Sequence, residues 1–133
     1  MSKQTGITAS VIIDDSGGTP RTISGDVTNF DTSQVRALQD VTGVDKDAVE
    51  RLPLIADFTL NLSGVVNTTT NNSHTVFASM GTAIRSGTVG FSNGGTVTAE
   101  LAIANYNLTR AQGGELTWQA TLQLANGTAA SWS

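Results

Sequence analysis

The chain has 133 residues, the usual size of one domain and enough to bury a real core. Seven basic and eleven acidic residues give a formal net charge of −4, and the basic ones are scattered, which argues against gripping phosphates through clustered Lys and Arg. There is no cysteine, hence no disulfide and no thiolate metal site, and packing alone must supply stability.

Only 14% of the residues are charged, against roughly 25% in typical soluble domains. Thr, Ser, Asn and Gly take their place, a mix that suits strands and turns and leaves a polar but neutral surface. No apolar run approaches the roughly 20 residues of a membrane-spanning helix. The opening "MSKQTGITAS" lacks the apolar core of a secretory signal, so a cytoplasmic product is expected. With no linker, repeat or low-complexity block, residues 1–133 read as a single domain, with flexible termini at about 1–6 and 127–133.

In chain order, "ITASVIID" (Ile7 to Asp14) is a first strand, ended by a turn on Gly17, Gly18 and Pro20. "RTISGDVTNF" (Arg21 to Phe30) is a second strand, spaced to form a hairpin with the first. The period then changes. In "DTSQVRALQD", Asp31 stands three residues before Gln34 as in a capping box, and Val35 and Leu38 share a helical face. "DKDAVERLP" predicts a second short helix, with Asp45 as N-cap, Val49 and Leu52 inward, and Pro53 as the stop.

"LIADFTLNLSGVV" returns to period two, with Phe58, Leu60 and Leu62 on one side and Thr59, Asn61 and Ser63 on the other. After the loop "NTTTNNS", "SHTVFASMG" predicts a helix capped by Ser73, with Val76, Phe77 and Met80 as its apolar stripe and Gly81 as its end. Two hairpins follow. "AIRSGTVGF" turns at "SNGG" into "TVTAELAIANYNLTR", where Val97, Ala99, Leu101 and Ile103 alternate with polar or small neighbours. That strand turns at "AQGG" into "GELTWQATLQLANG". In this last strand Leu116, Trp118, Ala120, Leu122 and Leu124 fall on one face, and Glu115, Thr117, Gln119, Thr121 and Gln123 on the other. The tail "NGTAASWS" is expected to be poorly ordered unless something holds it. The elements predict a mainly β fold, an antiparallel β-sandwich or barrel with one to three short helices.

Reactive constellations are missing from the sequence. A lone histidine, His74, without cysteine cannot make a typical zinc site. Asp14 and Asp15 point to opposite faces of a strand and cannot act as an acid/base pair. Asp45 and Asp47 fit a helix start better than a calcium loop. "GTVGFSNGG" lacks the Lys-Ser/Thr ending of a phosphate loop. Trp118 reads as core rather than as a sugar-stacking platform. The expectation is a protein that is not an enzyme and takes no cofactor or metal.

The order of segments carries a resemblance. An "ISGDVTNF" strand enters a short passage, "ADFTLNLSGVVN" leads to a "VF" helix, and a "G-E-L-T-W-x-A-x-L" strand closes the set. From about Arg21 to Thr128 this resembles the major tail proteins, or tail tube proteins, of long-tailed bacteriophages; the weight lies in order and spacing, since no single motif is unique. The resemblance implies a compact tail-tube-like β-sandwich, assembled in the host bacterial cytoplasm into hexameric rings that stack as the tail tube of a virion. It also implies partnership with the tape-measure protein and other tail proteins, passage of DNA without specific binding, and no membrane. Terminal and loop segments are expected to bridge subunits and rings, although the chain is short for the family.

A channel that passes DNA should not hold it, and a neutral or acidic wall has no counterions to exchange with phosphates. Glu115, Thr117, Gln119, Thr121 and Gln123 are therefore candidates for a lumen or inter-subunit face, with an ordinary solvated sheet face as the alternative. Other small β-rich virion proteins, such as a capsid decoration protein, a head-tail connector or a tail terminator, share this composition. A carbohydrate- or receptor-binding β-sandwich would need exposed aromatics beside Asp or Asn, and Tyr106 and Trp132 are few.

Overall fold

Alternation of buried and exposed residues builds most of the chain into antiparallel strands. The computed structural model describes residues 8–91 and 95–133. Its elements are β1 (Ser10–Asp14), β2 (Pro20–Thr22), a 3-10 turn (Ser24–Asp26), β3 (Val27–Asp40), β4 (Arg51–Val65), α1 (Ser73–Ala78), β5 (Arg85–Gly90), β6 (Thr96–Arg110), β7 (Leu116–Leu124) and β8 (Ser131–Trp132). All pairings are antiparallel, in the order β2-β1-β5-β6-β7-β4-β3, with β8 also on β6.

The fifteen-residue β6 joins two halves. Thr96–Leu101 pairs with β5, whereas Leu101–Arg110 pairs with β7 through a register shift between Ile103 and Asn105. The sheet curls over itself. Phe30 of β3 and Phe91, just after β5, are separated by three intervening strands in the sheet order, yet their rings are 5.3 Å apart. Val11, Ile13 and Val89 from one half, Leu60, Leu62 and Leu122 from the other, and Val76 and Phe77 of α1 share one core. Trp118 sits at its centre, 5.2 Å from the Phe77 ring, and its indole N–H donates to the Val65 carbonyl at 3.1 Å. That bond satisfies the polar edge of a side chain buried for its area.

The predicted β1–β2 hairpin is present, its turn carried by Gly18 at φ 84° and by the Asp15 carboxylate, which accepts from the N–H groups of Gly17 and Thr19. The "AQGG" turn is also present, with Gly114 at φ 95° donating to Ala111. Ile7, the first residue of the expected first strand, and Ser92 to Gly94 of the "SNGG" turn lie outside the described residues. The expected second strand is split by the 3-10 turn at Ser24–Asp26.

Two of the three expected helices are strands or loop. "DTSQVRALQD" lies within β3, so Asp31 caps nothing and Val35 and Leu38 are exposed rather than sharing a buried stripe. "DKDAVERLP" forms part of the 41–50 connection and the start of β4; Asp45 is not an N-cap, and Val49 and Leu52 face solvent. The cause is tertiary: β3 lies against β4 along nearly its whole length, and that ladder overrides a weak local preference. Pro53 is accommodated within β4, opposite Leu38, beside a register shift.

The third helix exists as α1, with Val76 and Phe77 buried as expected. Ser73 is its first helical residue rather than its cap; its N–H is taken by the Asp26 carboxylate at 3.1 Å. Gly81 follows at φ 54°. The C-terminal tail is held at its end: β8 pairs with Val97 and Thr98, and Trp132 stacks on Phe91 at 5.7 Å and donates to Gln34 at 3.0 Å.

Candidate assembly surfaces

Thr117, Gln119, Thr121 and Gln123 lie on one face of β7, opposite the buried Trp118, Ala120 and Leu122. Glu115 stands just before the strand, in the turn, where its carbonyl accepts from the Ala111 N–H. The registers extend this face across four strands. Gln119 is opposite Ser63 on β4 and Asn107 on β6; Thr121 is opposite Asn61 and Asn105; Gln123 is opposite Thr59 and Ala102. On β3, Asn29, Asp31 and Ser33 continue the rows through Ser63, Asn61 and Thr59.

Side chains knit the rows together. Thr121 Oγ1 donates to Asn61 Oδ1 at 3.1 Å, and Asn61 Nδ2 donates to Asp31 Oδ1 at 2.9 Å. The rows through Gln119, Thr121 and Gln123 contain Asp31 and no Lys or Arg. Asn29 fell in the expected second strand, but Asp31 and Ser33 were hidden in sequence because the segment from Asp31 read as a helix; the signal is the alternation Asn29, Asp31, Ser33 against Phe30 and Thr32.

This four-stranded face is bounded by two open edges. Among the described residues, no strand pairs with the outer edge of β3, nor with β6 beyond Leu101 on its β5 side. Unpaired edges are templates for joining another chain. Strand direction alternates across β6, β7, β4 and β3, so the β3 edge of one copy and the β6 edge of a rotated copy would meet antiparallel.

Beyond the core, β3 and β4 run on as a projecting arm. It exposes Leu38, Val41, Val44, Val49, Leu52 and Ile55, a concentration of apolar side chains that an isolated soluble domain avoids. Its tip is locked by Asp40, whose carboxylate accepts from the Thr42 N–H and hydroxyl; these two bonds hold its pKa below the ordinary carboxylate value.

Elsewhere the polar groups serve the scaffold. His74 Nδ1 lies 3.1 Å from the Tyr106 hydroxyl, and Tyr106 packs on Phe77, with burial raising its phenol pKa. Arg85 is buried, and its guanidinium donates to the carbonyls of Val76 and Ser79 at the end of α1 and to Met80 and Asp14. Burial lowers its pKa, opposed by the charges of Asp15 and Asp14. Among the described residues, no group of three or more His, Asp or Glu could hold a metal ion.

No family model matches the chain, and no curated protein matches it either. Solved structures do match, two of them along nearly the whole length of this chain. A chain from the tail of an empty gene transfer agent particle, determined with C6 symmetry, has a TM-score of 0.75 and 18% identity, covering 98% of this chain and 99% of that one. A chain from the virion of a native gene transfer agent particle has a TM-score of 0.73 and 17% identity, covering 98% and 99%. At these identities the likeness speaks for architecture, and the mainly antiparallel, single-helix chain described above carries the fold found in the tail of a gene transfer agent particle.

Proposed function

We propose that this chain is a structural virion protein whose copies close into hexameric rings and stack as a phage tail tube, a passive conduit for DNA. The observation that carries this reading is the neutral-to-acidic polar face of β6, β7, β4 and β3, flanked by two open edges of opposite strand direction. Pairing β3 of each copy with β6 of the next would use up both edges and make one continuous wall. The C6 symmetry of the similar tail structure supports six copies.

Six copies of four strands at about 4.8 Å spacing and about 40° tilt give a barrel of about 24 Å backbone radius. That leaves a lumen wide enough for duplex DNA or, during assembly, the tape-measure protein. Thr117, Gln119, Thr121 and Gln123 would line it, with Glu115 at its rim. Such a wall makes no charge-assisted contact with phosphates, so DNA would slide. The role is scaffolding rather than catalysis.

Electron microscopy of the purified protein at high concentration tests the reading. Six-fold rings and tubes of constant diameter are expected; monomers under all conditions would rule it out.

A further inference from the structure

The link between β7 and β8 carries a reactive pair. Asn126 and Gly127 are both exposed, and Gly127 holds φ 81° with open space where a side chain would stand. Asn126 Oδ1 accepts from the Thr128 N–H at 3.1 Å, an Asx turn that folds the side chain back over the Gly127 peptide. The carboxamide carbon is thereby turned toward the Gly127 nitrogen, and the hydrogen bond makes that carbon more electrophilic. Among the described residues, the Gly127 N–H donates to no protein group.

Other asparagines lack one or more of these conditions. Asn29, Asn61, Asn105 and Asn107 lie inside strands, where the ladder holds the backbone, and each precedes a large side chain. After Asn71 and Asn72 the next N–H is engaged, by the Thr69 carbonyl and the Asp26 carboxylate. Asn67 makes a similar Asx turn with Thr69, but the β-branched Thr68 follows it, and its own amide donates to Asp26 at 3.0 Å. Asn93, which also precedes a glycine, lies outside the described residues.

We infer that Asn126 is a site of spontaneous deamidation, with water as the only co-reactant, and that the product loosens the β8 strap. The Gly127 nitrogen bonds to Asn126 Cγ and gives up its proton. The carboxamide C–N bond breaks, ammonia leaves with that proton, and a five-membered succinimide closes. Water then opens the ring at either carbonyl, giving aspartate or isoaspartate. Both add a negative charge, and isoaspartate also routes the main chain through Cβ, lengthening it by one carbon.

The strap has little slack. After Ala125, whose N–H donates to the Glu100 carbonyl, only residues 126–130 precede the two-residue β8. Its hold consists of pairing with Val97 and Thr98, the bonds between Ser133 and Thr96, and the contacts of Trp132 with Phe91 and Gln34. An extra main-chain atom in so short a link shifts β8 along β6 and takes Trp132 out of register with both partners.

The test incubates the full chain in mildly alkaline buffer until a free Leu-Ala-Asn-Gly-Thr peptide beside it has converted. Peptide mapping by mass spectrometry, with enzymatic methylation of isoaspartate, should find Asn126 converted ahead of every other asparagine in the described residues. An unconverted Asn126, or conversion spread evenly over these asparagines, would overturn the site. Asn126→Gln, which would need a larger ring, should lose the reaction and keep the fold. Hydrogen exchange at the Thr96 and Ser133 amides should accelerate as conversion proceeds and stay constant in Asn126→Gln. Conversion with unchanged exchange there would overturn the loosening.

Discussion

The side chains of Asn61 and Asp31 meet across the β4–β3 ladder, Asn61 Nδ2 donating to Asp31 Oδ1 at 2.9 Å while Asn61 Oδ1 accepts from Thr121. Three strands are thus tied on the polar face without a cation. Placing one there is informative. Asn61→Lys should leave the exposed face folded but give each ring six positive charges in the wall. Tubes of the variant should bind duplex DNA at low salt and release it as salt rises, since phosphate contacts displace counterions. Sedimentation with labelled DNA measures this, and equal behaviour of variant and parent would remove this face from the lumen.

Gly64 marks a close crossing of the chain. A Cβ there would lie 1.8 Å from the carbonyl oxygen of Asp26, a backbone atom that cannot swing aside. Gly64→Ala should therefore push β4 from the 3-10 turn and cost about 3 kcal/mol or more. Urea unfolding of the monomer checks it; an unchanged midpoint would mean the crossing relaxes freely.

Arg85 fastens α1 from below through the carbonyls of Val76 and Ser79. Arg85→Met keeps much of the volume and removes every donor, leaving buried carbonyls unpaired. Relief from burying a cation offsets part of that loss, and a net destabilisation of about 2–4 kcal/mol is expected. Hydrogen exchange in residues 73–78 should accelerate before that of β7. Uniform acceleration would show that Arg85 supports the whole core rather than the helix.

Asp15 supplies a pH dependence. Hydrogen bonds from Thr19, Arg21 and Gly17 hold its carboxyl below the ordinary value of 3.8. Its contribution is present above the unfolded pKa and is lost as pH falls through the lower folded one. Asp15→Asn should narrow the difference in thermal midpoint between pH 7 and pH 2.5, and an unchanged difference would assign the acid sensitivity to other carboxylates.

The body of the fold was legible because each strand has one dry face. Phe58, Leu60 and Leu62, and Trp118, Ala120 and Leu122, announce both period and partner face. The arm was illegible for the opposite reason. Exposed on both sides, it carries no alternation, and Val35 and Leu38 at a spacing of three imitate a helix. Only the long ladder with β4 decides it, and such pairing cannot be read from a local window. The β7 part of the polar face was visible for its evenness, whereas Asp31 and Ser33 on β3 were hidden with the arm.

β6 makes the molecule a mechanical unit. Val97, Ala99 and Leu101 are clamped inside the core, while Asn107 and Thr109 belong to the polar face on the same strand. Tension along that strand therefore loads many cross-strand hydrogen bonds in parallel, the geometry that resists shear, instead of opening them one after another. In the tube proposed above, load along the strands would fall on the cores of the subunits rather than on the seams between them.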